Sequence, residues 1–247
     1  MLNLPKLIGH RGVKNLSPEN TIDSIELAKK IGLNWVEFDV KISKDLIPIV
    51  FHDDTLERTT NGIGLLIDYY YEDLKKLDAG SFFYKKKTKI NIPSFEDILF
   101  LAKNKNINLN IELKPNKGFE KENVESVAKT IKNFKFSNQF YFSSFDWNSL
   151  IMMKEIFPNA HYGLLIHKFK KERTVNDIIT LANKYNFFCC GLNKDIINSD
   201  IINEISRNDL MITVYSKNNL TVNEANELWS KGVKSIFTDD PLEFNVF

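Results

Sequence analysis

Apolar residues fall into eight short runs, separated by longer stretches in which they recur every three or four positions. The runs cover 6–10, 35–40, 108–114, 139–145, 161–166, 187–193, 210–216 and 235–239. The amphipathic stretches lie at 19–31, 94–104, 120–134, 146–156, 174–184, 198–208 and 221–231. A short apolar run reads as a buried strand, and the longer period reads as a helix with one apolar face. Strands alternating with helices build βαβ units and a parallel sheet. Eight such units predict an α/β chain closed into a TIM (β/α)8 barrel. A doubly wound open sheet is the structural rival. It would need a Gly-rich first turn for a nucleotide, and only Gly9 and Gly12 stand there.

One stretch departs from the alternation. Residues 41–93 hold no long helical period. Ile47-Pro48-Ile49-Val50-Phe51-His52 is strand-like but follows the second strand after only a short turn. Parallel neighbours cannot be joined so tightly, so this segment is predicted to be the returning arm of a hairpin above the barrel. Residues 53–93 follow, with a turn-rich part (Thr59-Thr60-Asn61-Gly62-Ile63-Gly64) and two aromatic triplets, Tyr69-Tyr70-Tyr71 and Phe82-Phe83-Tyr84. They are expected to form a small insertion that caps the barrel mouth of a single domain spanning 1–247. Beyond the last strand, Pro241-Leu242-Glu243-Phe244 is expected to close the barrel floor or rim.

Composition narrows the function classes. The chain has 247 residues, a size that fits one such barrel. Hydrophobic residues make up 43% and charged residues 26%, as in ordinary globular domains. A formal net charge of +1 argues against nucleic acid as a partner, since a long polyanion needs a basic face. No run approaches the roughly 18 apolar residues of a membrane helix, so no stable membrane insertion is expected. The N-terminus leads straight into the first strand with no leader-like segment. Cys189 and Cys190 are adjacent in a strand and point to opposite faces. A disulfide between them is not expected, and a reducing, cytoplasmic setting is.

The polar residues gather where a barrel builds its site, at the C-terminal ends of strands. His10-Arg11-Gly12 ends the first run, Glu37 and Asp39 the second, His52-Asp53 the hairpin arm, and Glu112 with Lys114 the third run. Glu37 and Asp39 are two residues apart, so both face the barrel interior. One reading is a salt-bridged layer with Arg11 or Lys114. The other is a site for a divalent metal completed by Glu112, where oxygen ligands suit Mg2+ or Ca2+. His10 and His52 can divide proton transfer between them, because imidazole titrates near working pH. His161 and His167 fall outside the pattern and are expected to be structural or at the surface. Arg11 and Lys114 can hold a phosphate beside the metal or simply balance its ligands. Ser17-Pro18-Glu19-Asn20 looks like a helix start, with Pro at the first position and acid in the first turn. Asn20 either caps that helix or faces the site.

With these residues in place, the pattern resembles the glycerophosphodiester phosphodiesterase family over most of the chain. The likeness rests on His10-Arg11-Gly12, Pro18-Glu19-Asn20-Thr21, Glu37-x-Asp39-Val40, and Val50-Phe51-His52-Asp53 continuing to Arg58-Thr59-Thr60-x-Gly62. It also includes Asp78-Ala79-Gly80-Ser81, Ile92-Pro93-Ser94-Phe95-Glu96-Asp97, Asn110-Ile111-Glu112-x-Lys114, Ser144-Phe145 and Thr238-Asp239. The resemblance implies a TIM barrel with a small insertion after strand two. It implies metal-dependent hydrolysis of glycerophosphodiesters to glycerol 3-phosphate and an alcohol. Carried over by position, His10 and His52 would be the acid–base pair, and Glu37, Asp39 and Glu112 would bind one Mg2+ or Ca2+. Arg11 and Lys114 would hold the phosphate. Leu46 replaces a common glycine in the hairpin turn. Tyr215 replaces a common tryptophan, keeping an aromatic wall for the glycerol end with Phe145 as a second wall. Two alternatives stand beside this reading: a lysophospholipase D-like enzyme on lipid phosphodiesters, with Phe82-Phe83-Tyr84 as its rim, and a non-catalytic phosphoester-binding barrel.

Overall fold

The computed structural model describes residues 2–171 and 173–244. Its strands are β1 (Leu7–Gly9), β2 (Trp35–Ile42), β3 (Pro48–Val50), β4 (Asn108–Leu113), β5 (Phe140–Ser144), β6 (His161–Ile166), β7 (Cys189–Asn193), β8 (Met211–Tyr215) and β9 (Ser235–Thr238). Eight of them pair in parallel as a closed ring, with β1 bonded to both β2 and β9. The predicted TIM barrel is therefore observed. The extra strand, β3, runs antiparallel to β2 with Val40 opposite Val50 and Ile42 opposite Pro48, the hairpin expected from the sequence.

The helices are α1 (Ile22–Ile31), α2 (Tyr71–Leu74), α3 (Ser81–Tyr84), α4 (Phe95–Lys105), α5 (Glu120–Phe134), α6 (Trp147–Ile156), α7 (Val175–Tyr185), α8 (Ser199–Ser206) and α9 (Val222–Ser230). Their starts are set by side chains that satisfy the first free backbone N–H groups. Ser94, Thr174 and Thr221 each form a reciprocal capping box, and Thr21 caps α1. The α1 helix thus begins at Ile22 rather than at the Pro18-Glu19 start read from the sequence. Glu19 and Asn20 precede the cap and are free for other contacts.

Strand parity divides the core in two. One alternate set of side chains, including Val36, Phe38, Ile111, Phe142, Leu164, Cys190 and Val214, packs under the helices. The other set lies inside the barrel, where Leu2, Leu4, Ile8, Trp35, Tyr141, Cys189 and Phe237 form a second cluster. The N-terminal Leu2 and Leu4 join this interior layer, while Phe244 packs beside Trp229 of α9. Cys189 and Cys190 fall in different clusters and are both free. Above the apolar layer the interior turns polar, and there the site is built.

Residues after β3 form a compact appendage around Ile49, Phe51, Leu56, Leu66, Leu74, Ala79 and Ile92. The buried Lys41 ammonium ties it to β2 through Asp54, at 2.6 Å.

The turn after β1 is tight. Gly12 has φ +84°, and a Cβ there would meet Ser24 Oγ at 2.3 Å and the Ser24 backbone carbon at 2.7 Å. Gly118 has nearly the same φ, +83°, but no atom within 4 Å of where a Cβ would stand. Gly118→Ala should therefore cost only left-handed strain, about 1 kcal/mol. Gly12→Ala should cost about 1–3 kcal/mol more, from overpacking against α1. Urea denaturation of both variants checks this, and equal costs would show that the Gly12 turn yields freely.

Candidate active site

Glu37 and Asp39 share the interior face of β2, and the β2–β4 register sets Asp39 directly beside Glu112. One oxygen from each carboxylate can be chosen so that all three lie within 4.8 Å of one another. All three residues are buried. Burial raises Glu37 well above the ordinary carboxylate range, and repulsion from Asp39 and Glu112 adds to the rise. Glu112 is also raised by burial, with the Lys114 ammonium opposing. Asp39 behaves oppositely. Burial alone would raise it, but Lys114 and Arg11 outweigh that and hold its carboxyl well below the ordinary range. Lys114 Nζ lies 3.2 Å from Asp39 and 2.9 Å from Glu112.

The turn after β1 carries Arg11 into this cluster. Arg11 adopts φ +50° and Asn20 φ +58°, conformations that are uncommon outside glycine and concentrate at functional sites. The Asn20 backbone N–H donates to the Arg11 carbonyl at 3.0 Å, so the two strained residues hold each other. The Arg11 backbone N–H donates to Glu37 at 3.0 Å, and its guanidinium lies between Glu19 (2.7 Å) and Asp39 (3.4 Å). The Asn20 amide donates to Asp39 at 2.9 Å. Asn20 therefore serves the site rather than capping a helix.

Each of the two histidines named from the sequence has a carboxylate on its Nδ1. His10 Nδ1 is 2.7 Å from Asp239, and His52 Nδ1 is 2.5 Å from Asp53. This leaves both Nε2 atoms available for proton exchange, the His10 Nε2 lying 3.9 Å from Glu37. Burial lowers the His10 pKa, partly offset by the Asp239 hydrogen bond, and so favours a neutral imidazole. Asp239 is itself held by the Asn219 side chain and by Lys14, at 3.2 Å. On the other side, Arg58 bridges Asp53 and Glu19. Burial works against Glu19, but Arg58 and Arg11 lower its pKa to about 2.

The groups open onto a cavity of about 360 Å³. His10, Arg11, Glu37, His52, Glu112 and Lys114 line one side, and Phe145 and Tyr215 form an edge-to-face aromatic wall at 5.6 Å. Lys114 Nζ stands 5.7 Å from the Phe145 ring centre. Of the residues assigned to the site from the sequence, His10, Arg11, Glu37, His52, Glu112, Lys114, Phe145 and Tyr215 line this cavity, and Asp39 clusters with Glu37 and Glu112. No side chain from 53–93 lines this cavity, while Arg58 lines the adjoining recess with Arg11, Lys14 and Asp239.

Sequence reasoning missed part of the wall. His167, expected to be structural, lines the cavity beside Asn193 (3.1 Å) and Tyr215 (3.3 Å). Its position just past the end of β6 was the signal available. Asp239 stood in a quoted motif without a role, and Asn193 ends β7 much as Glu112 ends β4.

Two features bear on a metal. The Glu37 Oε1 atom is buried with no hydrogen-bond partner among the described residues. Leaving a buried polar oxygen unpaired is costly, and a cation would satisfy it. The three carboxylates also form an all-oxygen donor set of the kind hard divalent ions take. The residues present fit one Mg2+ or Ca2+.

The sequence profile of the glycerophosphoryl diester phosphodiesterase family matches residues 10–243. The chain is 34% identical over 246 residues to YhdW of Bacillus subtilis, covering 95% of this chain and 94% of that protein. It is 32% identical over 247 residues to a glycerophosphodiester phosphodiesterase of the same organism, covering 95% and 83%. Among solved structures it superposes on an Oleispira antarctica phosphodiesterase in complex with the product sn-glycerol-3-phosphate. The TM-score is 0.90 at 28% identity, covering 98% and 95%. The profile match extends over nearly the whole chain and includes every strand end that feeds the cavity, so this chain belongs to the glycerophosphoryl diester phosphodiesterase family.

Proposed function

We propose that this protein is a metal-dependent phosphodiesterase that hydrolyses small glycerophosphodiesters to glycerol 3-phosphate and an alcohol. One observation carries the reading: three buried carboxylates, two histidines with free Nε2 atoms, and two cations converge on one cavity. The carboxylates of Glu37, Asp39 and Glu112 would hold one Mg2+ or Ca2+. When bound, such an ion polarises a phosphoryl oxygen and neutralises charge that develops on it. Arg11 and Lys114 bind the remaining phosphate oxygens. One of His10 and His52 takes the proton from the attacking hydroxyl, of water or of the substrate's own glycerol. The other gives a proton to the departing alcohol. Asp239 and Asp53 keep both imidazoles turned so that Nε2 faces the reaction. Phe145 and Tyr215 pack against the carbon skeleton of the glycerol end. The chain acts as one catalytic domain with the insertion at 53–93 beside it, and its two free buried thiols fit a reducing, cytoplasmic setting.

Exhaustive EDTA treatment should abolish activity, and Mg2+ or Ca2+ should restore it. Glu37→Gln should weaken metal affinity, read by titration of activity against metal, while the fold is kept. Full activity in EDTA would sink the metal assignment.

His10→Ala and His52→Ala should each lower kcat by at least about 100-fold, the scale of losing a general acid or base. His161→Ala should leave kcat unchanged. A near wild-type kcat in either of the first two variants removes that histidine from the mechanism.

A cavity of about 360 Å³ has little room for an acyl chain. We therefore expect kcat/KM for glycerophosphocholine to exceed that for lysophosphatidylcholine. An equal or higher value for the lyso-lipid would favour a lysophospholipase D-like activity instead.

A further inference from the structure

Within the appendage, the segment Phe82-Phe83-Tyr84-Lys85-Lys86-Lys87-Thr88-Lys89 has no part in the cavity. Its three aromatic rings are 57%, 39% and 42% exposed. Lys85, Lys86, Lys87 and Lys89 are also exposed, and none lies in an ion pair among the described residues. Such a display is unusual. Aromatic rings in a small module are normally used in its core, and here Phe51 is buried there with Leu66, Leu74 and Ile92 while these three are left outside.

The exposure is built rather than left over. Asp78 accepts hydrogen bonds from the backbone of Gly80, Ser81 and Thr88, and from the Thr88 hydroxyl at 2.5 Å. The Ala79 N–H donates to the Ile90 carbonyl at 2.8 Å. One half-exposed carboxylate thus staples both ends of the loop and fixes what projects between them. Gly80 lets the two ends meet, since a Cβ there would lie 2.6 Å from Thr88 Oγ1. Phe83 and Tyr84 stack edge to face at 5.0 Å, which stiffens the tip further. The same module holds most of the surface's loose apolar matter. Nine of the thirteen large hydrophobic side chains exposed among the described residues lie between 46 and 84. Apolar side chains held outside the core and bordered by charge mark an interaction site, and at the tip Phe82, Phe83 and Tyr84 adjoin four exposed lysines.

We propose that this loop docks the protein on the surface of an anionic lipid bilayer. Aromatic rings favour the interfacial zone between headgroups and chains, where an apolar body and a polar edge are both accommodated. Lysines beside them favour a negatively charged leaflet, each raising the partition coefficient by about fivefold. The combination of rings and unpaired lysines on one short, rigid tip fits a lipid surface better than nucleic acid, which would not require the flanking apolar chains. Phe82 and Phe83 border a recess that also contains Lys14 and Arg58, and Lys14 lines the catalytic cavity. Docking would therefore bring the barrel mouth close to the headgroups. The proposal does not depend on the reaction assigned above.

Co-sedimentation with vesicles tests it. Full-length protein should bind phosphatidylcholine vesicles containing about 30 mol% phosphatidylglycerol and release as salt rises to about 0.5 M. Vesicles of phosphatidylcholine alone should bind it far more weakly. Replacing the four lysines by glutamine should lower partitioning by at least about 50-fold, and Phe82→Ser with Phe83→Ser by at least about tenfold. The far-ultraviolet circular dichroism spectrum and thermal midpoint should be unchanged in both, which shows the variants are folded. Equal binding to neutral and anionic vesicles would overturn the proposal, as would binding that survives both sets of substitutions. Tighter binding to poly(U) than to the anionic vesicles, lost with the lysines but not with the rings, would reassign the surface to nucleic acid.

Discussion

Asp39 is almost wholly excluded from solvent, and side chains from three separate segments converge on it. Asn20 donates from the loop before α1, Arg11 approaches from the turn after β1, and Lys114 reaches across from the end of β4. A buried carboxylate is tolerated only when paired and hydrogen-bonded. Satisfying this one therefore fixes the positions of everything near it. Arg11 and Asn20 accept left-handed backbone conformations to reach it, and Gly12 is needed so that the turn can fold back on Ser24. The same turn sets His10 at the cavity and brings its backbone N–H groups against β2.

Asp39 draws on both Arg11 and Lys114, whereas Glu112 has Lys114 alone. Glu37 receives only the Arg11 backbone N–H at short range, and one of its oxygens has no partner. The cluster is left asymmetric, with one carboxyl strongly favoured as the anion and two pushed toward the neutral acid. A divalent ion would remove that asymmetry by supplying the missing charge between Glu37, Asp39 and Glu112.

The insertion bears on the site through its base. Its base holds His52 through Asp53, and Arg58 joins Asp53 to Glu19, which in turn meets Arg11. This chain of ion pairs links the hairpin that carries His52 to the first barrel turn that carries His10. Arg58 is partly exposed, and exposed pairs contribute little stability on their own. Here they act as a positioning frame.

The strand and helix order followed from the sequence because period two and period three-to-four are local signals, and each of the eight barrel strands is a separate apolar run. The same period put Glu37 and Asp39 on one interior face, and the position of polar residues at strand ends located the mouth. The hairpin was legible from a chain-length constraint alone, since Ile47–His52 followed β2 too closely to be its parallel neighbour. Other features were decided only when distant segments met. Asp239 and His10 are 229 residues apart, and no local pattern pairs them. Asn20 read equally well as a cap, and only the approach of β2 gave its amide a buried carboxylate to satisfy. His167 stood just past the end of β6, but its partners were fixed only when β7 and β8 set Asn193 and Tyr215 beside it. Periodicity along a chain determines which face a residue occupies; which partner it meets there depends on strand register and barrel closure, and these exist only in three dimensions.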